Sequence, residues 1–319
     1  MVSSTDKLKP DWAGDDFLSR FVNLLIKIKP IYSLMKYQAR QVIIKTAEKN
    51  GISWRKNYQD LEKSGAKDLL ATITNPNLVY PEYYQVPFHA YPEGNLCWKA
   101  AFETPSATYA MPLRVWKNEN LTWQVAHERL RHSFYQILEQ YTPQPITDIL
   151  DLGCSVGIST LALHRYYTQK QNTPIRTVGL DLSPHMLAVA QVMDEQKEIA
   201  QWLHGKGEAT GLADNSFDLV TLQFVTHELP CQATKAILQE VQRILKPGGV
   251  LGIVDNNPLS PVIQGLPPVL FTLMKSTEPW SDDYYTFNIE EAIQDIGLEY
   301  KVTIPSDPRH RAIIAVKGN

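Results

Sequence analysis

The segment Ile146–Thr160, ITDILDLGCSVGIST, constrains the fold of this chain more than any other. Ile146, Ile149, Leu150 and Leu152 read as a buried strand, and Ile158, Leu161 and Leu163 as the start of a helix, with a glycine turn between them from Gly153 to Gly157. A strand that ends on an acid and turns through glycines into a helix is a nucleotide-binding unit. Glycines let backbone N–H groups approach the ligand, and a helix N-terminus favours negative charge. The spacing is Asp151-x-Gly153-x-x-x-Gly157, with Ser155 at the middle position. A dinucleotide fingerprint needs Gly-x-Gly-x-x-Gly, and a P-loop ends in Gly-Lys-Ser/Thr. Neither is present, so nicotinamide, flavin and nucleoside triphosphate sites are not expected.

The C-terminal half alternates strand and helix, which predicts a largely parallel sheet with helices on both faces. Strands are expected at Arg176–Asp181, near Gln201–His204, at Phe217–Phe224 and at Val250–Asp255. Ser183 and Pro184 read as N-cap and first-turn proline of a helix running through MLAVAQVMDEQKEIA. A helix from about Ala233 to Leu245 should stop at Lys246-Pro-Gly-Gly. Asn288–Ile296 reads as a helix, with Gly297–Ile304 and Arg311–Lys317 as a terminal antiparallel pair.

Residues 1–120 read as a separate helical and aromatic-rich extension, with residues 121–319 as the α/β domain and an insert at 256–287. Phe17, Phe21, Leu24, Leu25 and Ile28, then Leu34, Met35, Ile43 and Ile44, recur at helical spacing around a break at Pro30. Lys27, Lys29, Lys36, Arg40, Lys45 and Lys49 face only Glu48 in this stretch. A basic helix with an apolar face packs on its own domain or lies peripherally on an anionic membrane. Residues 75–116 turn to aromatics and prolines and read as a lid-like segment.

A net charge of −3 gives no sign of a nucleic-acid partner. Cys97, Cys154 and Cys231 lack metal-binding spacing, so no metal site is expected, and they point to a reducing, cytoplasmic compartment. The N-terminus carries acids and no apolar segment, unlike a secretory signal.

Five motifs in order resemble the class I S-adenosylmethionine-dependent methyltransferases, within them the small-molecule, quinone-biosynthesis-like group. They are DLGCSVG at 151–157, GLDLSPHMLAVA at 179–190, EATGLADNSFDLV at 208–220, HELP at 227–230 and RILKPGGVLGIVD at 243–255. The resemblance implies a Rossmann-like seven-stranded α/β sheet with an antiparallel C-terminal strand. It implies S-adenosylmethionine as cofactor, S-adenosylhomocysteine as product and a small, aromatic or lipophilic acceptor. O-methylation is the first expectation, with C- and N-methylation as alternatives. A protein that keeps the cofactor site without catalysis is the competing reading.

In that frame Asp181, closing the second strand, is placed to accept from both ribose hydroxyls, with Leu182 and Met186 beside it. Gly153 and Gly157 allow close backbone approach, and Asp151 would help hold the methionyl ammonium. Cys154 and Ser155 face the same crevice. Related chains carry an acid followed by Ala at the adenine; here the aligned position falls on Lys206, which cannot accept, so Glu208 and Ala209 are expected instead. Gln223 and Phe224 end the fourth strand at the carboxyl edge, where ligands meet open α/β sheets. His227 is the candidate base for a hydroxyl acceptor, or else a shaper of the pocket floor with Glu228. Of the aromatic tract most residues read as packing surface, with His89 and Tyr91 as the likeliest to meet substrate. Arg309-His310-Arg311 reads as a solvated hairpin tip.

Overall fold

The computed structural model describes residues 17–89 and 91–318; the expectation made above for the N-terminus falls outside them. Seven strands are present: β1 Asp148–Leu152, β2 Arg176–Asp181, β3 Gln201–His204, β4 Phe217–Gln223, β5 Leu245–Asn256, β6 Leu298–Pro305 and β7 His310–Lys317. They form one sheet in the order β3-β2-β1-β4-β5-β7-β6. Strands β1 to β5 pair in parallel, and β7 runs antiparallel to both β5 and β6. The order reverses between β1 and β4, which opens a crevice at the carboxyl ends of those strands.

The strands are buried on both faces, as parallel strands must be. Leu150, Val178, Val220 and Leu251 pack towards helices Cys231–Ile244 and Ile289–Asp295. Their neighbours Ile149, Leu219 and Val250 pack the other way, against helices Trp123–Glu139 and Ile158–Thr168. Each such side chain contributes about 1.5–3 kcal/mol on burial. Gly252 is required where the sheet meets the helix before β1, because a Cβ there would stand 2.4 Å from Leu138 Cδ2.

Two boundaries differ from the sequence reading. Ser183 caps its helix as expected, accepting from the Met186 amide at 3.2 Å. That helix stops at Met193 rather than continuing to Ala200. Asp194 takes the amides of Glu198 and Ile199 at 2.8 and 3.1 Å, offering the backbone a partner that competes with the helix. Strand β5 begins at Leu245, which pairs with Phe217, so Lys246-Pro-Gly-Gly is an irregular entry to the strand rather than a loop.

In the N-terminal region, helices Phe17–Lys27 and Lys29–Lys49 are separated at Ile28, with Pro30 in the first turn of the second. Helices Trp54–Glu62 and Ala66–Ile73 follow, and the aromatic tract itself contains helix Trp98–Ala110. Ala66, Ala100, Ala101 and Phe102 pack against Met186, Ala188 and Val189, which joins this region to the helix after β2. Phe17, Leu18, Phe21 and Leu24 on the first helix remain exposed, Phe17 at 87%. Among the described residues no helix is long and apolar enough to cross a membrane.

Candidate active site

A cavity of 410 Å3 opens at the carboxyl edge of the sheet. One end is built by the turn after β1. Gly153 has φ +72°, and a Cβ there would meet Val225 Cγ2 at 2.6 Å, so only glycine lets the loop pass. The amides of Gly153 and Cys154 donate to Leu180 O at 2.8 and 3.0 Å, tying the turn to β2. Ser155, with φ +50°, donates its amide to Asp181 Oδ2 at 2.8 Å, and the Ser183 amide donates to Oδ1 at 2.7 Å. Asp181 thus stands fixed in the wall of the cavity, with lone pairs left on both oxygens. Burial pushes its pKa up to about 6, and the two amides pull it back.

Leu182, Met186, Cys154, Gln223 and Phe224 line the same space. Asp151 does not. Its buried carboxylate accepts from Thr160 at 2.7 Å, Thr221 at 2.6 Å and Gln223 at 3.2 Å, which braces the turn from beneath. Gly157 is also outside the cavity wall; a Cβ there would meet Trp202 at 2.4 Å, so it serves packing beside β3. Gly205 and Gly207 line the cavity at the end of β3. Glu208 and Ala209 stand just behind them. Glu208 Oε1 accepts from Tyr83 Oη at 2.6 Å, and its buried Oε2 has no partner.

The other end gathers residues from distant parts of the chain. Residues 226–228 form one 3-10 turn after β4, and His227 Nδ1 lies 2.8 Å from Asp255 Oδ1 at the end of β5. Thr226 Oγ1 donates to Asp255 Oδ2 at 2.6 Å, which fixes that carboxylate. Burial opposes charge on His227, but Asp255 outweighs it and raises the imidazole to about 10. His89 Nε2 lies 4.0 Å from Glu228 Oε1, and the ligand-capable atoms of His89, His227 and Glu228 all fall within 4.8 Å of one another. Crowding by the cavity wall and the neighbouring His227 charge push the pKa of His89 down, while desolvation pushes Glu228 up to about 7. Asn95 Nδ2 donates to Glu228 Oε2 at 3.2 Å, bringing the aromatic segment across the mouth. Tyr91 is turned away from the cavity, donating instead to Glu103 Oε2 at 2.5 Å, where Arg40 also binds. Tyr83 and Tyr84 line the cavity from the same segment.

His89, Ser155 and Phe224 all line the cavity and all hold positive φ without being glycine. Such backbone is costly, about 1–3 kcal/mol each, and clusters at functional sites.

The hairpin cluster corrects the sequence reading. His310 and Arg311 are 2% and 7% exposed, and Arg309 and His310 line the cavity. The reason is topological: β7 inserts between β5 and β6, so its first residues are carried onto the carboxyl edge beside Asn256. Arg114, Arg131, Asn256 and Glu278 also line the cavity and were missed. Asn256, directly after IVD in the fifth strand, carried a readable signal. Arg114 carried none, because its neighbours in the cavity wall, Thr104, Ala107, Thr108 and Met111, form no recognisable motif with it.

The description "Methyltransferase domain" matches residues 150–253. Among curated proteins, a demethylmenaquinone methyltransferase of Lactiplantibacillus plantarum is 36% identical over 42% of this chain and 56% of its own length. An uncharacterized methyltransferase of Synechocystis sp. is 34% identical over 38% of this chain and 53% of its own. The chain therefore spans little more than half the length of these relatives. Among solved structures, a SAM dependent methyltransferase from Aquifex aeolicus gives a TM-score of 0.46 at 16% identity, over 64% of this chain and 97% of that one. With the glycine turn, Asp181 and the strand order in place, residues 150–253 belong to the class I S-adenosylmethionine-dependent methyltransferases.

Proposed function

We propose that this chain transfers a methyl group from S-adenosylmethionine to a small, lipophilic hydroxylated aromatic, of the quinol or phenol type. One observation carries the reading: a single cavity joins the Gly153–Asp181 crevice to the His89, His227 and Glu228 cluster. The crevice fits the cofactor. Asp181 is placed for the ribose hydroxyls, and Gly153 and Gly207 allow close approach. The unpartnered Glu208 Oε2 suits the adenine amine, since a buried acceptor without a donor is costly. Arg131, 5% exposed and close to Gln223 at 3.5 Å, supplies positive charge for the methionyl carboxylate. When bound, the sulfonium supplies an electrophilic methyl and its own leaving group.

The chain's part is to orient the acceptor and manage one proton. Asp255 on Nδ1 leaves Nε2 of His227 as the basic nitrogen, and the raised pKa makes it a strong base once deprotonated. Removing a hydroxyl proton raises nucleophilicity at the oxygen and at the ring carbon alike, so the same base serves O- or C-methylation. Tyr83, Tyr84 and Asn95 cover the mouth and keep water out. The exposed Phe17, Leu18, Phe21 and Leu24, beside Arg20, Lys27 and Lys29, support peripheral contact with an anionic lipid surface, from which a lipophilic acceptor would enter.

The test is incubation with S-adenosylmethionine and hydroxylated naphthalenes, following S-adenosylhomocysteine formation. Acceptor-dependent product is expected. Tight cofactor binding without product from any acceptor would favour the non-catalytic reading instead.

A further inference from the structure

Among the described residues, every arginine except Arg20, Arg114, Arg131 and Arg309 is paired with a carboxylate. Arg20 is exposed on the first helix. The other three line one cavity. Arg131 lies on the Gln223 side, next to the turn after β1. Arg114 and Arg309 stand close enough to each other for their charges to interact: the surrounding protein, and then the charge of Arg309, disfavour the charged form of Arg114. Arg114 is exposed and Arg309 half-buried, so both guanidiniums are open to a ligand that supplies negative charge.

The local bonding fits that use. Arg309 Nε donates to Asn256 Oδ1 at 3.1 Å, and Asn257 N donates to Arg309 O at 2.9 Å. The backbone and Nε are thereby fixed at the end of β5, while no protein bond engages its two terminal amino groups among the described residues. A guanidinium presented in this way meets a carboxylate or phosphate through two parallel N–H···O bonds. Glu278 is the acid on this side of the cavity. It accepts from Ser281 at 3.4 Å and forms no ion pair with either arginine, though it stands near enough to Arg309 for the two charges to interact.

We propose that Arg114 and Arg309 form a binding site for an acidic group, carboxylate or phosphate, carried by the methyl acceptor. The assignment rests on the methyltransferase reading for the word acceptor, and on geometry for the anion. Arg309 stands at the β5 edge that also carries Asp255, the partner of His227. The cofactor crevice lies on the other side of β4, between β1 and β2. An acceptor anchored by its anion at this edge presents a fixed hydroxyl to His227. The substrate class narrows to an aromatic that bears both a hydroxyl and an acid.

The test is calorimetric titration of four probes: 1-hydroxy-2-naphthoate, 1-naphthyl phosphate, 1-naphthol and inorganic phosphate. Each is titrated into the free protein and into protein saturated with S-adenosylhomocysteine. At least one of the naphthoate and naphthyl phosphate is expected to bind about tenfold or more tightly than naphthol, and which one does so separates carboxylate from phosphate. Arg114→Met and Arg309→Met should each remove most of that preference while S-adenosylhomocysteine affinity stays within about threefold; Arg114→Lys and Arg309→Lys, which keep the charge and the packing, should retain part of it. Naphthol binding as tightly as both anions would overturn the proposal. So would inorganic phosphate binding as tightly as naphthyl phosphate, which would mark a free-anion site. Loss of S-adenosylhomocysteine affinity in the methionine variants would assign the pair to the cofactor tail and overturn it too. Should the wild type bind no S-adenosylhomocysteine, the cofactor reading fails, and the free-protein titrations still decide the anion preference.

Discussion

The two ends of the cavity are built in opposite ways. The cofactor end is local: Gly153, Ser155, Asp181 and Leu182 come from one strand–turn–helix–strand unit, bonded to itself through Leu180 and Asp181. The acceptor end is assembled from afar. His89 comes from the aromatic tract, His227 and Glu228 follow β4, Glu278 lies in the insert, Arg309 opens β7, and Arg114 precedes the sheet. Local construction gives a site that any chain of this fold can reuse, whereas distant construction lets the acceptor end change while the cofactor end stays.

The largest test of that division is His227→Ala. Turnover should fall by about 10²–10⁴, the usual scale for a general base, with S-adenosylhomocysteine affinity unchanged. A parallel fall in cofactor affinity would erase the boundary between the two ends. The pH profile sharpens it. Because Asp255 raises the imidazole, the base form appears only as pH climbs well above 6.5, so the rate should rise through that range. Asp255→Asn removes the carboxylate, lowers the imidazole pKa and should move the rising limb to lower pH. An unmoved limb would remove His227 from proton transfer.

Next in size, Asp181→Ala should weaken S-adenosylhomocysteine binding by about tenfold to a hundredfold, the worth of one or two bonds to a charged group. Naphthol binding to the free variant should be unaffected, and a change there would show the ends to be coupled. On the stability side, Gly252→Ala should cost about 1–3 kcal/mol in urea unfolding, because its methyl meets Leu138 and Phe134. Cofactor affinity at 25 °C should hold, since Gly252 lines neither end. A neutral result would mean that the helix before β1 yields more easily than its packing implies. The smallest effect is expected at the periphery. Phe17→Ser with Leu24→Ser should reduce sedimentation with phosphatidylserine vesicles severalfold without altering turnover of water-soluble acceptors. Equal sedimentation would dismiss the first helix as a membrane contact.

Legibility in the sequence follows the same division. The turn from Asp151 to Gly157 and the acid closing β2 were readable because strand, glycine and acid occur at short fixed spacings, and short apolar runs between turn residues marked the strands. Gly157 and Asp151 also serve packing and bracing, which spacing cannot distinguish from ligand contact. Missed were Trp54–Glu62 and Ala66–Ile73, whose apolar residues (Trp54, Tyr58, Leu61; Ala66, Leu69, Leu70, Ile73) recur at helical spacing but over helices of only 9 and 8 residues. The hairpin cluster was misread because its burial depends on β7 pairing with β5, a contact some fifty residues distant in the chain. Tyr91 was singled out as aromatic and polar, yet its hydroxyl belongs to Glu103.

The most direct test of the central claim is calorimetric titration of the wild-type protein with S-adenosylhomocysteine. The account predicts one site per chain with a micromolar dissociation constant. No binding heat up to millimolar ligand would contradict it, because the Gly153–Asp181 crevice would then not be a cofactor site at all.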